Sequence, residues 1–181
     1  IGEGGFSTIY AAQQQSLCRE GAIKVPHSGR ATQKHKNILI EEAYRMAQLE
    51  HPNIMPVYSL GYDDEGNPIL LMKKIEGVTW LDIIVDDQHS FWQQQTIDPL
   101  RVHLKILIQV CHALEYAHSK SIIHRDIKAA NVMIGSFGEV YLLDWGIAAE
   151  LDDSGVYQPP DFCGTPVYAA PEMVIPGFSL D

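Results

Sequence analysis

The sequence predicts an α+β fold in two parts, a small β-rich N-terminal part with one helix and a mainly helical C-terminal part. In the first third, short apolar runs with β-branched residues are separated by turn residues, which is typical of strands. Farther along, the segment "TIDPLRVHLKILIQVCHALEYAHSK" carries apolar residues at helical spacing. The pattern changes at Glu76–Gly77, so we expect one domain over residues 1–76 and a second over residues 77–181.

The elements of the first part follow from local patterns. "FSTIYAAQ" and "GAIKVP" predict two strands, because they alternate or run apolar. The segment from Asn37 to Glu50 predicts a helix, which His51 and Pro52 end. "IMPVYSLGYDDEGNPILLMKK" then predicts two strands joined by a turn.

In the second part, Asp98 and Pro99 predict the start of the long helix, because they suit the cap and first-turn positions. "VMIG" and "EVYLLD" predict short strands on the C-terminal side of the polar cluster in "IIHRDIKAANVMIG". After Gly146, accumulating Gly, Pro, Asp and Ser predict a long loop of the kind that is usually functional. We expect both ends to lie inside a larger domain, so that the C-terminal part is truncated.

Composition excludes several classes of protein. The net charge of −10, from 13 Lys and Arg against 23 Asp and Glu, argues against nucleic-acid binding. No apolar run approaches the ~18 residues of a membrane span, and "IGEGGF" is not a signal peptide. We therefore expect a cytoplasmic segment without membrane contact, although a segment outside it could anchor the full-length protein. The three cysteines form no CxxC pair, so we expect buried or half-buried thiols rather than a metal site or disulfides.

Two features of the first part suit phosphate binding. Glycines between two strands, Gly2, Gly4 and Gly5, let backbone N–H groups approach phosphate oxygens, although a plain hairpin turn is the alternative. Lys24 lies inside an apolar strand and would need an anionic partner if buried, for which Glu42 is a candidate. The alternative is an edge-strand lysine and an exposed glutamate.

Polar residues of the second part suit a hard cation. Asp126, Lys128 and Asn131 lie within six residues, and Asp144 follows an apolar run before Gly146. Carboxylate and amide oxygens are the ligands that Mg²⁺ prefers. Each motif taken alone could be an ordinary polar turn.

Taken together, the Gly-rich hairpin, strand Lys, helix Glu, H-R-D-x-K-x-x-N, D-x-G and "APE" (Ala170–Glu172) resemble the protein-kinase signature set in order and spacing. The chain resembles a eukaryotic-type (Hanks-type) Ser/Thr protein kinase catalytic domain, of the bacterial branch, over essentially its whole length. The resemblance implies a bilobal protein-kinase-like fold.

The resemblance also implies roles for individual residues. Asp126 would act as catalytic base, Lys128 would offset charge on the moving phosphoryl group, and Lys24 would hold the α/β-phosphates with Glu42. Asn131 and Asp144 would hold Mg²⁺, with Mn²⁺ as the alternative ion. The resemblance implies further nucleotide-binding positions. In the N-terminal part they are Ile1, Gly2, Gly4, Gly5, Ser7, Ile9, Ala22, Met72 as gatekeeper, Lys73 and Ile75. In the C-terminal part the position is Met133, in the "VMIG" strand.

Lys128 and the run "GTPVYAAPE" resemble Ser/Thr kinases rather than tyrosine kinases. The implied partner is a protein substrate with Ser or Thr, with autophosphorylation or a kinase dimer as further expectations. Arg125 implies activation-loop phosphorylation; there we favour Ser154 over Tyr157 as the phosphosite, with Thr165 in the substrate-docking loop.

Two departures from the family pattern leave alternatives open. Ser7 replaces a loop glycine and Trp145 replaces the usual Phe. These two substitutions favour a pseudokinase scaffold that binds nucleotide or partners without transfer. A small-molecule phosphotransferase of related fold is the other alternative, but such enzymes generally lack the APE element that Ala170–Glu172 match.

Overall fold

The computed structural model describes residues 2–3, 7–27, 32–157, 163–170 and 173. It divides into two compact units. The N-terminal unit comprises Ile1–Glu50 and Met55–Ile75, and the C-terminal unit comprises His51–Ile54 and Glu76–Asp181. The predicted α+β class is confirmed.

The N-terminal unit is one antiparallel sheet with one helix. Its elements are β1 (Gly2–Glu3), β2 (Ser7–Gln14), β3 (Arg19–Pro26), α1 (Gln33–Gln48), β4 (Val57–Tyr62) and β5 (Pro68–Met72). The strand order is β1-β2-β3-β5-β4, so β3 is central, and α1 packs against β3, β4 and β5. A central strand excludes the alternative that Lys24 is an edge-strand lysine.

Helix α1 begins four residues before the predicted start. Thr32 accepts a hydrogen bond from the backbone N–H of His35, and the His35 side chain accepts one from the N–H of Thr32. This reciprocal capping satisfies two N–H groups that the helix itself leaves unpaired. The polar turn that follows Thr32 has no apolar periodicity, so the sequence pattern could not place it in the helix.

The C-terminal unit is built from small sheets and helices. Its elements are β6 (Gly77–Thr79), α2 (Trp80–Val85), α3 (Ser90–Gln93), α4 (Pro99–Ser119), β7 (Ile122–Ile123), β8 (Val132–Gly135), β9 (Val140–Leu142) and β10 (Ala149–Glu150). Strands β6, β8 and β9 form one antiparallel sheet in that order, and β7 pairs with β10.

Helix α4 confirms the predicted long helix and its cap. Asp98 accepts the backbone N–H of Arg101 at 3.3 Å, and Pro99 is the first helical residue. One stripe of the helix is buried: Val102, Ile106, Val110, Ala113 and Ala117. This spacing of three and four residues is what an amphipathic helix needs to bury one face.

Helix α2 was not predicted, although the sequence carries a signal for it. Thr79 accepts the N–H of Asp82, and the Asp82 side chain accepts the N–H of Thr79. A Thr followed three residues later by an acidic residue, before an apolar run, is a capping-box pattern. The six-residue length of α2 leaves too little periodicity to detect otherwise.

The segment His51–Ile54 joins the C-terminal unit through β9. Leu142 donates its N–H to the Asn53 carbonyl at 2.8 Å, and Ile54 forms a parallel bridge with Leu142. The buried Asn53 amide donates to the Val140 carbonyl at 2.9 Å and to Gln109 Oε1 at 3.1 Å. Asn53 thereby ties β9 to α4.

The expectation of buried or half-buried thiols was wrong. Cys18, Cys111 and Cys163 are all free and exposed. Cys111 lies on α4 outside its buried stripe, and Cys18 follows the β2 strand in a left-handed conformation with φ 49°. Among the described residues, no helix has the length and apolar character that crossing a membrane requires.

Candidate functional site

Lys24 and Glu42 form a buried ion pair inside the N-terminal unit. Lys24 Nζ donates to the two carboxylate oxygens of Glu42 at 2.7 and 2.8 Å. Neighbouring Glu41 is instead exposed and accepts from Arg45 at 3.0 Å. The predicted choice of Glu42 over Glu41 as the partner of Lys24 is confirmed, because a buried ammonium group needs a counter-charge.

Four predicted nucleotide-binding side chains share one face of the sheet. Ile9 lies opposite Lys24 in the β2–β3 register, and Ala22 lies opposite Met72 in the β3–β5 register. Directly opposed residues of antiparallel strands point to the same face, and so do Ala22 and Lys24, which are two residues apart. The sheet therefore presents an ammonium group and an apolar strip side by side.

The glycine-rich segment is described only in part. Gly2 pairs with Ile9, and Ser7 is buried opposite Pro26. Ile1, Gly4 and Gly5 lie outside the described residues.

At the end of β5, Lys73 donates its backbone N–H to the Pro56 carbonyl at 3.0 Å. A contact between the Lys73 backbone and an adenine ring would therefore use its carbonyl oxygen. The adjacent Lys74 pairs with Glu20 at 2.6 Å.

In the C-terminal unit, three side chains converge on the carboxylate of Asp126. Lys128 Nζ donates to Oδ2 at 2.7 Å, the Asn131 amide donates to Oδ2 at 3.0 Å, and Thr165 Oγ1 donates to Oδ1 at 2.7 Å. Lys128 also donates to Thr165 Oγ1 at 2.8 Å, and Asn131 to the Asp126 carbonyl at 2.8 Å. These bonds fix the orientation of the carboxylate.

The same bonds set the protonation of Asp126. Burial raises its pKa, but hydrogen bonds from Lys128, Thr165 and Asn131 outweigh burial and bring the pKa below its ordinary value. Donors to a carboxylate favour its charged form. Asp126 is therefore an oriented carboxylate at neutral pH.

The backbone of this region contains two strained residues. Arg125 has φ 67° and Asp144 has φ 58°, in the left-handed region that non-glycine residues seldom adopt. Such conformations cluster at functional sites. Asp144 is itself one of the two predicted metal ligands, and Arg125 directly precedes Asp126.

Arg125 makes contacts with the segment that follows Asp144. Its Nε donates to the Ile147 carbonyl at 2.5 Å, and its guanidinium carbon lies 4.7 Å from the centre of the Tyr157 ring. Ser154, the favoured phosphosite, is exposed and donates its hydroxyl to Asp152 Oδ1 at 2.5 Å. The structure thus places Tyr157 rather than Ser154 against the guanidinium group.

His124 is a site residue that the sequence analysis left without a role. It is 1% exposed, its Nδ1 accepts the Asp126 N–H at 3.2 Å, and its Nε2 lies 2.9 Å from the Leu143 carbonyl. With Nδ1 accepting, the ring proton lies on Nε2 and is donated to Leu143. Burial lowers the pKa of His124, which favours this neutral ring.

Trp145, a departure from the family pattern, packs on His124. The ring centres are 4.6 Å apart in an edge-to-face arrangement, and Trp145 is fully buried. Its indole N–H donates to the Leu142 carbonyl at 3.4 Å. The Trp145 side chain is therefore packed in the core of the C-terminal unit with its indole N–H satisfied.

A backbone hydrogen bond brings the segment that contains Asp144 next to Asn131. Leu143, which precedes Asp144, donates its N–H to the Asn131 carbonyl at 2.8 Å. The Asn131 amide nitrogen is directed at Asp126, so its side-chain oxygen is the atom suited to a cation. One carboxylate and one amide oxygen suit Mg²⁺, which commonly completes its shell with phosphate oxygens and waters.

Other predicted positions have simpler placements. Met133 lies in β8, half-buried, and Ile75 is half-buried just beyond β5. Of the APE element, Ala170 is described, whereas Pro171 and Glu172 lie outside the described residues. Thr165, expected only in a docking loop, is hydrogen-bonded to Asp126, a contact across 39 residues that no local pattern reveals.

Comparison with known proteins gives a consistent result. A family model described as "Protein kinase domain" matches residues 1–179. A protein named "probable serine/threonine-protein kinase" from Corynebacterium efficiens is 36% identical over 180 residues, 96% of this chain and 26% of that protein. PknD from Protochlamydia amoebophila is 35% identical over 85% of this chain and 16% of its own length, and PknB from Mycolicibacterium smegmatis is 35% identical over 96% and 27%. Both carry the name serine/threonine-protein kinase, and the chain spans about a quarter or less of these relatives.

Proposed function

Because the chain belongs to the protein kinase domain family, we propose that it transfers the γ-phosphate of ATP to Ser and Thr hydroxyls of protein substrates. The observation that carries the proposal is the Asp126 carboxylate, oriented by Lys128, Asn131 and Thr165. Phosphoryl transfer depends mainly on positioning and electrostatic stabilisation, which this cluster can supply.

Asp126 orients the substrate hydroxyl and accepts its proton as the new P–O bond forms. The bond between the γ-phosphorus and the β,γ-bridging oxygen breaks, and ADP leaves. A carboxylate whose pKa is lowered remains ionised and able to accept this hydrogen bond at neutral pH. Lys128, which is bonded to the same carboxylate, offsets the charge of the transferring phosphoryl group.

In the N-terminal unit, Lys24 contacts the α/β-phosphates while Glu42 holds the ammonium group in position. The pair is buried, so Glu42 stabilises the charged form of Lys24. The Gly2–Ser7 segment covers the phosphates, and Ile1 is a further nucleotide-binding position. Because Glu42 already holds the Lys24 ammonium group in position, the positive charge needs no reorganisation to contact the phosphates of a polyanion.

Adenine contacts the apolar strip of the sheet. Ile9, Ala22 and Met72 share its face. Met133 of β8 keeps the nucleotide-binding role that the family resemblance implies. The Lys73 carbonyl accepts from the adenine edge, because the Lys73 N–H is bonded to Pro56. The Ile75 backbone supplies the second bond.

Use of ATP with a divalent metal is general in this family. We assign Mg²⁺ to Asp144 and the side-chain oxygen of Asn131, with Mn²⁺ as the alternative ion. Held by Asp144 and Asn131, the metal would supply positive charge that offsets the charge of the β- and γ-phosphates. Asn131 links this position to Asp126, since its amide nitrogen donates to that carboxylate.

Two observations favour Ser/Thr over Tyr as the acceptor. Lys128, the residue typical of Ser/Thr kinases at this position, donates hydrogen bonds to both Asp126 and Thr165. The relatives carry the name serine/threonine-protein kinase. A pseudokinase is not favoured, because the polar residues that transfer needs are present and Trp145 packs without displacing them.

The test is transfer of radiolabelled γ-phosphate from ATP–Mg²⁺ to casein by the full-length protein, followed by phosphoamino-acid analysis. We expect label on Ser and Thr. Label confined to Tyr would contradict the proposed acceptor, and label on a small molecule but not on protein would favour a small-molecule phosphotransferase.

A further inference from the structure

The C-terminal unit contains a cavity of about 350 Å³ outside the proposed catalytic cluster. Its walls are β6, the β8–β9 hairpin, α3 with the segment that follows it, and the middle of α4. None of the residues assigned above to catalysis, nucleotide or metal lines it. The volume lies in the range of small-molecule sites, roughly 300–1,000 Å³.

The charges of this cavity differ from those of the chain. The protein carries 23 Asp and Glu against 13 Lys and Arg, yet no carboxylate is among the lining side chains. Lys105 of α4 and His89 before α3 are its ionisable groups. Within the part of the chain that the structure describes, Lys105 forms no ion pair. Lys105 is therefore the cation of the lining, while the Glu139 carboxylate lies beside that lining in the β8–β9 hairpin, where it accepts the backbone N–H of Phe137.

The remaining walls are apolar with a few hydrogen-bonding groups. Val78, Phe91, Ile106 and Ile134 supply hydrocarbon and aromatic surface. His89 Nδ1 accepts the N–H of Phe91 at 3.1 Å, so the neutral ring presents an N–H donor at Nε2.

We propose that this cavity binds a small amphipathic carboxylate, whose apolar body contacts Val78, Phe91 and Ile134 and whose carboxylate pairs with Lys105. An apolar pocket whose lining includes one lysine and no carboxylate selects such a ligand, because the ammonium group forms a charge-assisted hydrogen bond. A cationic ligand would find no carboxylate in the lining, and an uncharged ligand would form no ion pair with Lys105. The proposal does not depend on the proposed kinase activity.

The experiment titrates the full-length protein with indole-3-propionate and 3-phenylpropionate, and with their primary amides as uncharged controls of the same shape. ¹³C-methyl NMR of labelled Ile and Val follows binding. We expect saturable shifts at Val78, Ile106 and Ile134, and the carboxylates should bind about tenfold more tightly than the amides.

Lys105→Gln should remove the preference for the carboxylate and leave amide binding unchanged. Arg101→Gln is the matched control, because Arg101 is an exposed cation one turn earlier on α4 that does not line the cavity. Val78→Phe should weaken both ligands by filling the space. Equal binding of acid and amide, saturable shifts elsewhere, or no saturable binding would each overturn the proposal.

Discussion

The hydroxyl of Thr165 links Asp126 to Lys128. It donates to Asp126 Oδ1 at 2.7 Å and accepts from Lys128 Nζ at 2.8 Å, across 39 and 37 residues of sequence. One side chain of the segment after Asp144 thus helps to set the position and protonation of the proposed catalytic carboxylate. Thr165 is a positioning residue, since it acts through Asp126.

Thr165→Val should lower kcat about tenfold and leave the KM for ATP unchanged, because the substitution removes one neutral hydrogen bond to the carboxylate without altering nucleotide-binding residues. The loss of that bond should also raise the pKa of Asp126, so the acid limb of the kcat profile should move to higher pH. Thr165→Ser keeps the hydroxyl and should restore both. An unchanged pH profile in the Val variant would contradict this role.

Glu42→Gln should destabilise the protein by about 3 kcal/mol, because it leaves the buried Lys24 ammonium without its carboxylate. It should also weaken ATP–Mg²⁺ binding through misplacement of Lys24. Glu41→Gln removes an exposed i,i+4 pair with Arg45 from the same helix and should cost less than about 0.5 kcal/mol. Denaturant unfolding and calorimetric ATP titration measure both effects; similar losses in the two variants would refute the buried-pair account.

Acidification should destabilise the protein through His124. Burial lowers the pKa of this residue in the folded state, so the unfolded chain binds the proton first as the pH falls below about 6.5. The free energy of unfolding should then fall by at most about 1.4 kcal/mol per pH unit for this group.

Burial and the nearby His112 also lower the pKa of His51, which adds to the same trend. His124→Gln should therefore reduce, but not abolish, the dependence of the denaturant midpoint on pH between about 7.5 and 5.5. If the denaturant midpoints of the wild type and the variant change equally with pH, protonation of His124 does not contribute to the acid destabilisation.

Asn53→Ala should cost about 1–3 kcal/mol, because it leaves the buried Val140 carbonyl and the Gln109 side chain without their donor. Asn37→Ala is the matched control, since Asn37 is an exposed residue of α1 that accepts a single bond from Gln33. Alanine favours a helix, so that variant should be neutral or slightly stabilising. Thermal unfolding of both variants compares them, and a larger loss in the Asn37 variant would count against Asn53 as the tie between β9 and α4.

Helices and strands that depend on neighbouring residues in the sequence were predicted from local patterns. The strands around Lys24 and the helix that starts after Asp98 follow from apolar spacing and a capping residue. The Lys24–Glu42 pair was predictable because a buried cation requires an anion. In contrast, the first residues of α1 could not be predicted from hydrophobic periodicity, because the start of the helix depends on capping by Thr32.

Contacts between residues far apart in the sequence were the least predictable. Thr165 on Asp126 and Trp145 against His124 depend on how the C-terminal unit packs, and their residue types are compatible with many environments. The exposure of Cys111 reversed an expectation drawn from residue type, because its position on α4 lies outside the buried stripe.

The most direct test of the central claim compares phosphate transfer by the full-length wild-type protein and Asp126→Asn at equal occupancy by ATP–Mg²⁺. The account predicts that the variant binds the nucleotide with similar affinity, while label transferred to Ser and Thr falls by at least about a hundredfold. Transfer that persists in the variant would contradict the role of Asp126. Nucleotide binding without transfer in the wild type would contradict the proposed activity and indicate a binding scaffold.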